Sequence, residues 1–243
     1  MFKSSGNLMN FAEFRSRAMR QHYPDYMGMF FSRLSIRVSY LFSFTSITPN
    51  ELTTLSLVVA LVGAVLIQDS NYWNRLSGIV FWFVAYVLDF CDGDIARYKN
   101  IKSEFGDWFD AVTDRVKDTG LFSAVTILVA RESLSEVVVV IGMLALGGTI
   151  VHSYATTYGF KVIAASKSPA DKFGNIGYPL VTFFLIIDMP VIFLLAMAIL
   201  TLTTIALGIY TTLTHQSNEQ VKDEGSRIPG SGFVGGTHLK QAT

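Results

Sequence analysis

Long apolar runs separated by short polar breaks give the first reading of this chain. A bilayer core of about 30 Å needs roughly 20 apolar helical residues, fewer where neighbouring helices shield the span. Six segments approach that length: Leu52 to Gln68, Arg75 to Phe90, Asp107 to Ala130, Ser135 to Tyr158, Tyr178 to Met189 and Pro190 to Leu213. The fifth is short, and Asp188-Met189-Pro190 predicts a tight turn into the sixth, because proline lacks a backbone donor and restricts the residue before it. The last two therefore read as a helical hairpin. Thr48-Pro49-Asn50 marks the entry to the first segment, since proline fits the first turn of a helix.

Upstream, Phe11 to Arg20 and Phe30 to Phe44 mix aromatic and aliphatic residues with arginines at helical spacing, the pattern of helices that lie on a membrane surface. From Gln216 the chain turns polar and Gly/Ser-rich, which predicts disorder. The fold class expected is all-α and membrane-integral. Residues 1–45 form a cytoplasmic amphipathic juxtamembrane segment, 46–215 a domain of six transmembrane helices, and 216–243 a disordered tail.

Composition agrees with this pattern: 51% of the 243 residues are hydrophobic, only 16% are charged, and the mean hydropathy is +0.41. Net charge is formally zero, so no global basic field points to nucleic acid. Its distribution adds an orientation. With the N-terminus cytoplasmic, all but Arg75 and Arg131 of the 19 basic residues fall on inner loops, tails and helix ends. An even number of spans returns both termini to that side. The single cysteine, Cys91, excludes an intrachain disulfide.

Charge gathers where the apolar pattern should forbid it. The run LSGIVFWFVAYVL passes without a break into DFCDGDIARYKNIKSEFGDWFDAVTDRVKD, residues 89–118, which hold seven aspartates and one glutamate. Burying an unpaired carboxylate costs several kcal/mol or more, so something must neutralise the cluster. Asp89 and Asp92 are three apart and Asp110 and Asp114 four apart, so each pair occupies one face of its helix. If those faces meet, four carboxylates converge, and an all-oxygen set suits Mg²⁺, Mn²⁺ or Ca²⁺ rather than zinc or copper. Two cations held in this way clamp the oxygens of a phosphoryl displacement. Gly93 and Gly106 leave room for close approach of a ligand or helix, and Arg97 suits a bidentate diphosphate contact. Ser103 is placed to cap the helix that follows, with Glu104 and Asp107 in its positive first turn. Asp94 and Asp118 read as solvated helix-end charges, and His152 as a packing residue.

The set Asp89-x2-Asp92-Gly93-x2-Ala96-Arg97-x8-Gly106-x3-Asp110-x3-Asp114 resembles, without mismatch, the signature of the CDP-alcohol phosphotransferase (phosphatidyltransferase) family. The resemblance implies that Asp89, Asp92, Asp110 and Asp114 surround two Mg²⁺ or Mn²⁺ ions, with Asp114 also the general base. It implies a cytidine pocket walled by Gly93, Ala96 and Gly106, and a diphosphate contact at Arg97. The activity implied is transfer of a substituted phosphate from a CDP-linked donor such as CDP-diacylglycerol to a polar acceptor alcohol, with release of CMP, by a homodimer in phospholipid biosynthesis. An alternative is a CDP-linked polar alcohol such as CDP-inositol as donor to a polar or lipid alcohol. Family members that use inositol phosphate carry Ser-Tyr-x-Lys on the fourth span, whereas this chain reads Ser153-Tyr154-Ala155-Thr156, with threonine at the lysine position. The acceptor candidates are Ser153, Thr156, Lys161 and Lys172. Ion transport is the remote alternative, disfavoured because the carboxylates sit at one membrane edge and not at the midplane of several spans.

Overall fold

The computed structural model describes residues 10–20, 26–132, 135–162 and 182–226. All regular elements among the described residues are α-helices: α1 (Phe11–Ala18), α2 (Tyr26–Phe42), α3 (Pro49–Ile67), α4 (Tyr72–Lys99), α5 (Glu104–Glu132), α6 (Glu136–Val162) and α7 (Pro190–Ser226). Residues 182–186 are also helical and lead into the turn before α7.

Local chemistry fixes where these helices start. Thr48 and Glu51 form a reciprocal capping box at α3, the Glu51 carboxylate accepting from the Thr48 N–H at 2.7 Å, with Pro49 in the first turn. Asn71 caps α4 by accepting from the Trp73 N–H at 2.9 Å. In the turn between them Asp69 accepts from the Asn71 N–H and the Asn74 amide, and these bonds hold its carboxyl below the usual carboxylate range.

At the crossing of α3 and α4 two glycines face each other. A Cβ on Gly63 would stand 2.9 Å from the Gly78 carbonyl oxygen, and one on Gly78 only 2.6 Å from that of Gly63. Backbones that close are how helices associate where lipid removes the hydrophobic drive between them. α3 also packs on α5, α5 on α6, and α6 on α7, while α1 and α2 lie against α4. One core joins Phe122, Val125, Phe193 and Met197, and a second joins Phe14, Phe31, Leu52, Leu88, Cys91 and Ile95.

Three described helical stretches are long and apolar enough to cross a membrane: Pro49–Ile67, Glu136–Tyr154 and Pro190–Tyr210. Apolar residues such as Val65, Met143 and Ile199 point outward from them, as lipid contact demands. The other three expected spans meet two outcomes. α4 and α5 are 28 and 29 residues long, about 42 Å at 1.5 Å per residue, and are not among those three. Most of the interval from Tyr178 to Met189 is helix or turn, and its first residues, 178–181, lie outside the described residues.

Two expectations change. The two N-terminal stretches each bury a face against protein, where the pattern alone predicts helices lying on a membrane surface: Phe14 and Ala18 of α1 are fully buried, as is Ser35 of α2. The expected tail is helical through Ser226, because adding turns to an existing helix avoids the cost of a new nucleus. Residues 227–243 lie outside the described residues.

At the start of α4, Arg75 is buried and pairs with Asp188, which adopts the left-handed conformation (φ 62°) in the turn before α7. The guanidinium lies 5.8 Å from the centre of the Tyr72 ring, and the Tyr72 hydroxyl donates to the Ile186 carbonyl at 3.0 Å. These contacts tie α4 to the 182–189 turn.

Candidate active site

About 26 Å along α4 from Tyr72, at 1.5 Å per residue, Asp89 opens the acidic stretch. α4 ends at Asn100, whose left-handed backbone (φ 54°) closes the helix. α5 begins four residues later with Ser103 accepting from the Gly106 N–H at 3.0 Å, as expected. Both helices pack against α3, and their acidic faces meet beside it. Carboxylate oxygens of Asp89, Asp92 and Asp110 all lie within 4.8 Å of one another. Asp92 is buried and accepts from the Thr53 hydroxyl of α3. Asp110 Oδ1 is buried with no hydrogen-bond partner.

Asp114 lies one turn further along α5, outside this trio, and its carboxylate is 2.8 Å from the ammonium of Lys117. Lys117 is buried and also pairs with Asp89, with the Ser56 hydroxyl of α3 at 3.4 Å. A cavity of about 280 Å³ opens beside Asp89, Asp114 and Lys117. Three carboxylates from two helices around one point, one of them with an orphaned oxygen, fit a hard divalent cation such as Mg²⁺ or Mn²⁺. Asp89, Asp92 and Asp110 could hold one directly, and Asp114 stands next to them.

The residues around the carboxylates are organised from the N-terminal side. Arg97 donates to the Ala18 carbonyl of α1 and to Asp94 Oδ1, each at 2.6 Å. Asp94 is 1% exposed and accepts from Ser35 at 2.8 Å and Ser39 at 3.0 Å, both on α2. The reading of Asp94 as a solvated charge is therefore wrong, because α2 covers it. Asp118 is likewise buried, 2.8 Å from the Arg115 guanidinium. A Cβ on Gly93 would stand 3.2 Å from Arg97 Nη1, so the missing side chain makes room for the guanidinium. Ala96 is half-buried, and its carbonyl accepts from Ile101. Gly106 is half-buried, and a Cβ there would meet Ser103 Oγ at 3.2 Å.

The acceptor candidates are not brought together in the same way. Ser153 is half-buried on α6. Thr156 and Lys161 belong to α6 by backbone, but their side chains lie outside the described residues, as does all of Lys172. His152 shares a 3.1 Å hydrogen bond with Thr204 of α7, a packing role as expected.

Lys117, Asp94, Thr53 and Ser56 were not anticipated as parts of the site. Lys117 did leave a signal, since Asp110, Asp114 and Lys117 follow i, i+4, i+7 spacing along one face of α5. Asp94 sits three residues before Arg97, a spacing that favours pairing. Nothing in the order of residues places Thr53 or Ser56 against the carboxylates.

Residues 46–213 match the sequence profile described as CDP-alcohol phosphatidyltransferase, a region that runs from the entry of α3 into α7 and contains every carboxylate of the cluster. The chain belongs to this family. Among its relatives, a "Bifunctional IPC transferase and DIPP synthase" of Thermococcus kodakarensis is 32% identical over 125 residues, 51% of this chain and 27% of that protein. A "CDP-diacylglycerol--glycerol-3-phosphate 3-phosphatidyltransferase" of Rickettsia typhi is 33% identical over 90 residues, 37% of this chain and 48% of that protein. A "Phosphatidylinositol phosphate synthase" of Corynebacterium glutamicum is 30% identical over 114 residues, 46% of this chain and 51% of that protein. The chain thus spans about half or less of the length of these relatives. Its fold is similar to the solved Mycobacterium tuberculosis phosphatidylinositol phosphate synthase, with a TM-score of 0.56 at 18% identity, covering 73% of this chain and 95% of that one. As a member of the CDP-alcohol phosphatidyltransferase family with three apolar spanning helices, this is a membrane protein.

Proposed function

We propose that this chain transfers a phosphatidyl or similarly substituted phosphate from a CDP-linked donor, such as CDP-diacylglycerol, to the hydroxyl of a polar alcohol and releases CMP. The observation that carries this reading is the meeting of Asp89, Asp92 and Asp110 within 4.8 Å, inside the region that matches the family. Asp89, Asp92, Asp110 and Asp114 would hold two Mg²⁺ or Mn²⁺ ions, which when bound supply charge neutralisation at the diphosphate and a more acidic acceptor hydroxyl.

The protein's own groups do the rest. Arg97, positioned by Asp94 and the Ala18 carbonyl, takes the diphosphate, and Gly93, Ala96 and Gly106 let the nucleotide approach the backbone. The acceptor oxygen attacks the β-phosphorus, forming a new P–O bond while the bond from that phosphorus to the bridging oxygen breaks. CMP leaves with the bridging oxygen, and Asp114 takes the proton from the acceptor hydroxyl. Asp114 serves mainly by position, because it lines the cavity one helical turn from Asp110.

The rest of the reading is a homodimer in phospholipid biosynthesis with six membrane helices behind the N-terminal helices. The active site and both termini face the cytoplasm, as the basic residues suggest. Relatives with differently named products favour keeping a second donor class, a CDP-linked polar alcohol such as CDP-inositol, on the same centre. The test is purified protein with Mg²⁺, each donor class and a panel of alcohols, scored for CMP by chromatography. CMP should appear with at least one donor and alcohol and disappear with EDTA. CMP release that is indifferent to EDTA and to Asp92→Asn would overturn the proposal.

A further inference from the structure

Lys117 is the one buried cation that touches the candidate centre among the described residues, and neither the spacing of the aspartates nor the proposed reaction accounts for it. Its three ammonium protons have three partners: Asp89 on α4, Asp114 on α5 and Ser56 on α3. A lysine with all three donors met, at 7% exposure, is a fixed part of the site and not a surface charge that happens to lie near. Its partners divide the cluster. Asp89 is shared between Lys117 and the trio, whereas Asp114 faces Lys117 and stands outside the trio.

We propose that Lys117 is a built-in cation that divalent ions must displace from Asp89 and Asp114 to load the centre fully, so that it sets how tightly and in what order they bind. This rests on the proposed divalent centre. Four carboxylates face one buried ammonium, because Arg115 pairs with Asp118 at 2.8 Å and reaches Asp114 only at 3.9 Å. Arg97 is already engaged by Asp94. Lys117 therefore offsets the charge of the cluster, and competes for the ligands that a second ion requires. The first ion goes to Asp89, Asp92 and Asp110. The second binds only as the ammonium gives up Asp114. Lys117 is a positioning residue in this account, since it sets where the Asp114 carboxylate sits before substrate arrives.

The test is Mn²⁺ titration of the purified protein, with free ion counted by electron paramagnetic resonance and no substrate present. Lys117→Met removes the charge and keeps the length of the side chain, and Lys117→Arg keeps the charge. The expected result is tighter half-saturation in Lys117→Met by at least about tenfold, roughly 1.4 kcal/mol. Lys117→Arg should stay within about threefold of wild type by the same measure. If Lys117→Met binds Mn²⁺ no more tightly than wild type, or fails to fold while Lys117→Arg binds tenfold more tightly, the inference is overturned and the metal centre stands. If wild type binds no more Mn²⁺ than Asp92→Asn does, the divalent centre itself fails and the inference goes with it.

Discussion

The two ends of α4 handle buried charge in opposite ways. Near its start, buried Arg75 meets one carboxylate, Asp188, and leans on the Tyr72 ring, so positive and negative groups balance one to one. Near its end, Asp89 and Asp92 join Asp110 and Asp114 of α5 around a single buried ammonium, and Asp110 Oδ1 is left without a partner. Balanced charge fastens one helix to the next element, because a buried ion persists when it is paired. A surplus of one sign works against the fold and is retained for what it binds. Surplus, more than the mere presence of charge in an apolar chain, marks the functional end.

This contrast can be broken by substitutions at either end. The largest effect is expected at Asp110→Asn. CMP release should fall at least about 10³-fold, roughly 4 kcal/mol of lost transition-state stabilisation. The same variant should melt no lower than wild type in metal-free buffer, because it removes repulsion from a group with no hydrogen-bond partner on one oxygen. A drop in melting temperature there would mean that the cluster is structural after all.

At the balanced end the opposite outcome is expected. Asparagine tolerates the left-handed backbone of Asp188, so Asp188→Asn isolates the loss of charge. It leaves Arg75 buried and unpaired, and because Asp188 is itself half exposed the cost should be about 2 kcal/mol, below that of a fully buried pair. Thermal unfolding in detergent measures it, and CMP release per folded molecule should not change. Adding Arg75→Met should restore most of the stability. A smaller effect is expected at Asp94→Asn, where Arg97 loses its charged partner but keeps the Ala18 carbonyl. KM for the CDP-linked donor should rise by about three- to tenfold, about 1 kcal/mol, with little change in kcat.

How much of this could be read from the residues depends on whether the information was local. Helical spacing was enough to put Asp89 with Asp92 and Asp110 with Asp114 on single faces, and the two faces do meet. Asp94 was misread because its environment depends on Ser35 and Ser39, more than fifty residues earlier. Burial of a helix-end charge is decided by what folds over it, and spacing within α4 carries no trace of α2. The facing pair Gly63 and Gly78 was silent for the same reason, since each glycine alone says nothing of its partner across the helix crossing. α7 outran its expected end because Gln216–Ser226 is polar but contains no proline or helix-breaking run before Gly225. The acceptor candidates are not joined into a site, because the side chains of α6 beyond Tyr154 lie outside the described residues.

Crystals grown with Mn²⁺ and a CDP-linked donor, with data collected at the manganese edge, address the central claim most directly. The account predicts anomalous density within coordination distance of Asp89, Asp92 and Asp110, in contact with the diphosphate, and Lys117 withdrawn from Asp114. Diphosphate bound elsewhere, with no manganese between these carboxylates in protein that releases CMP, would contradict it.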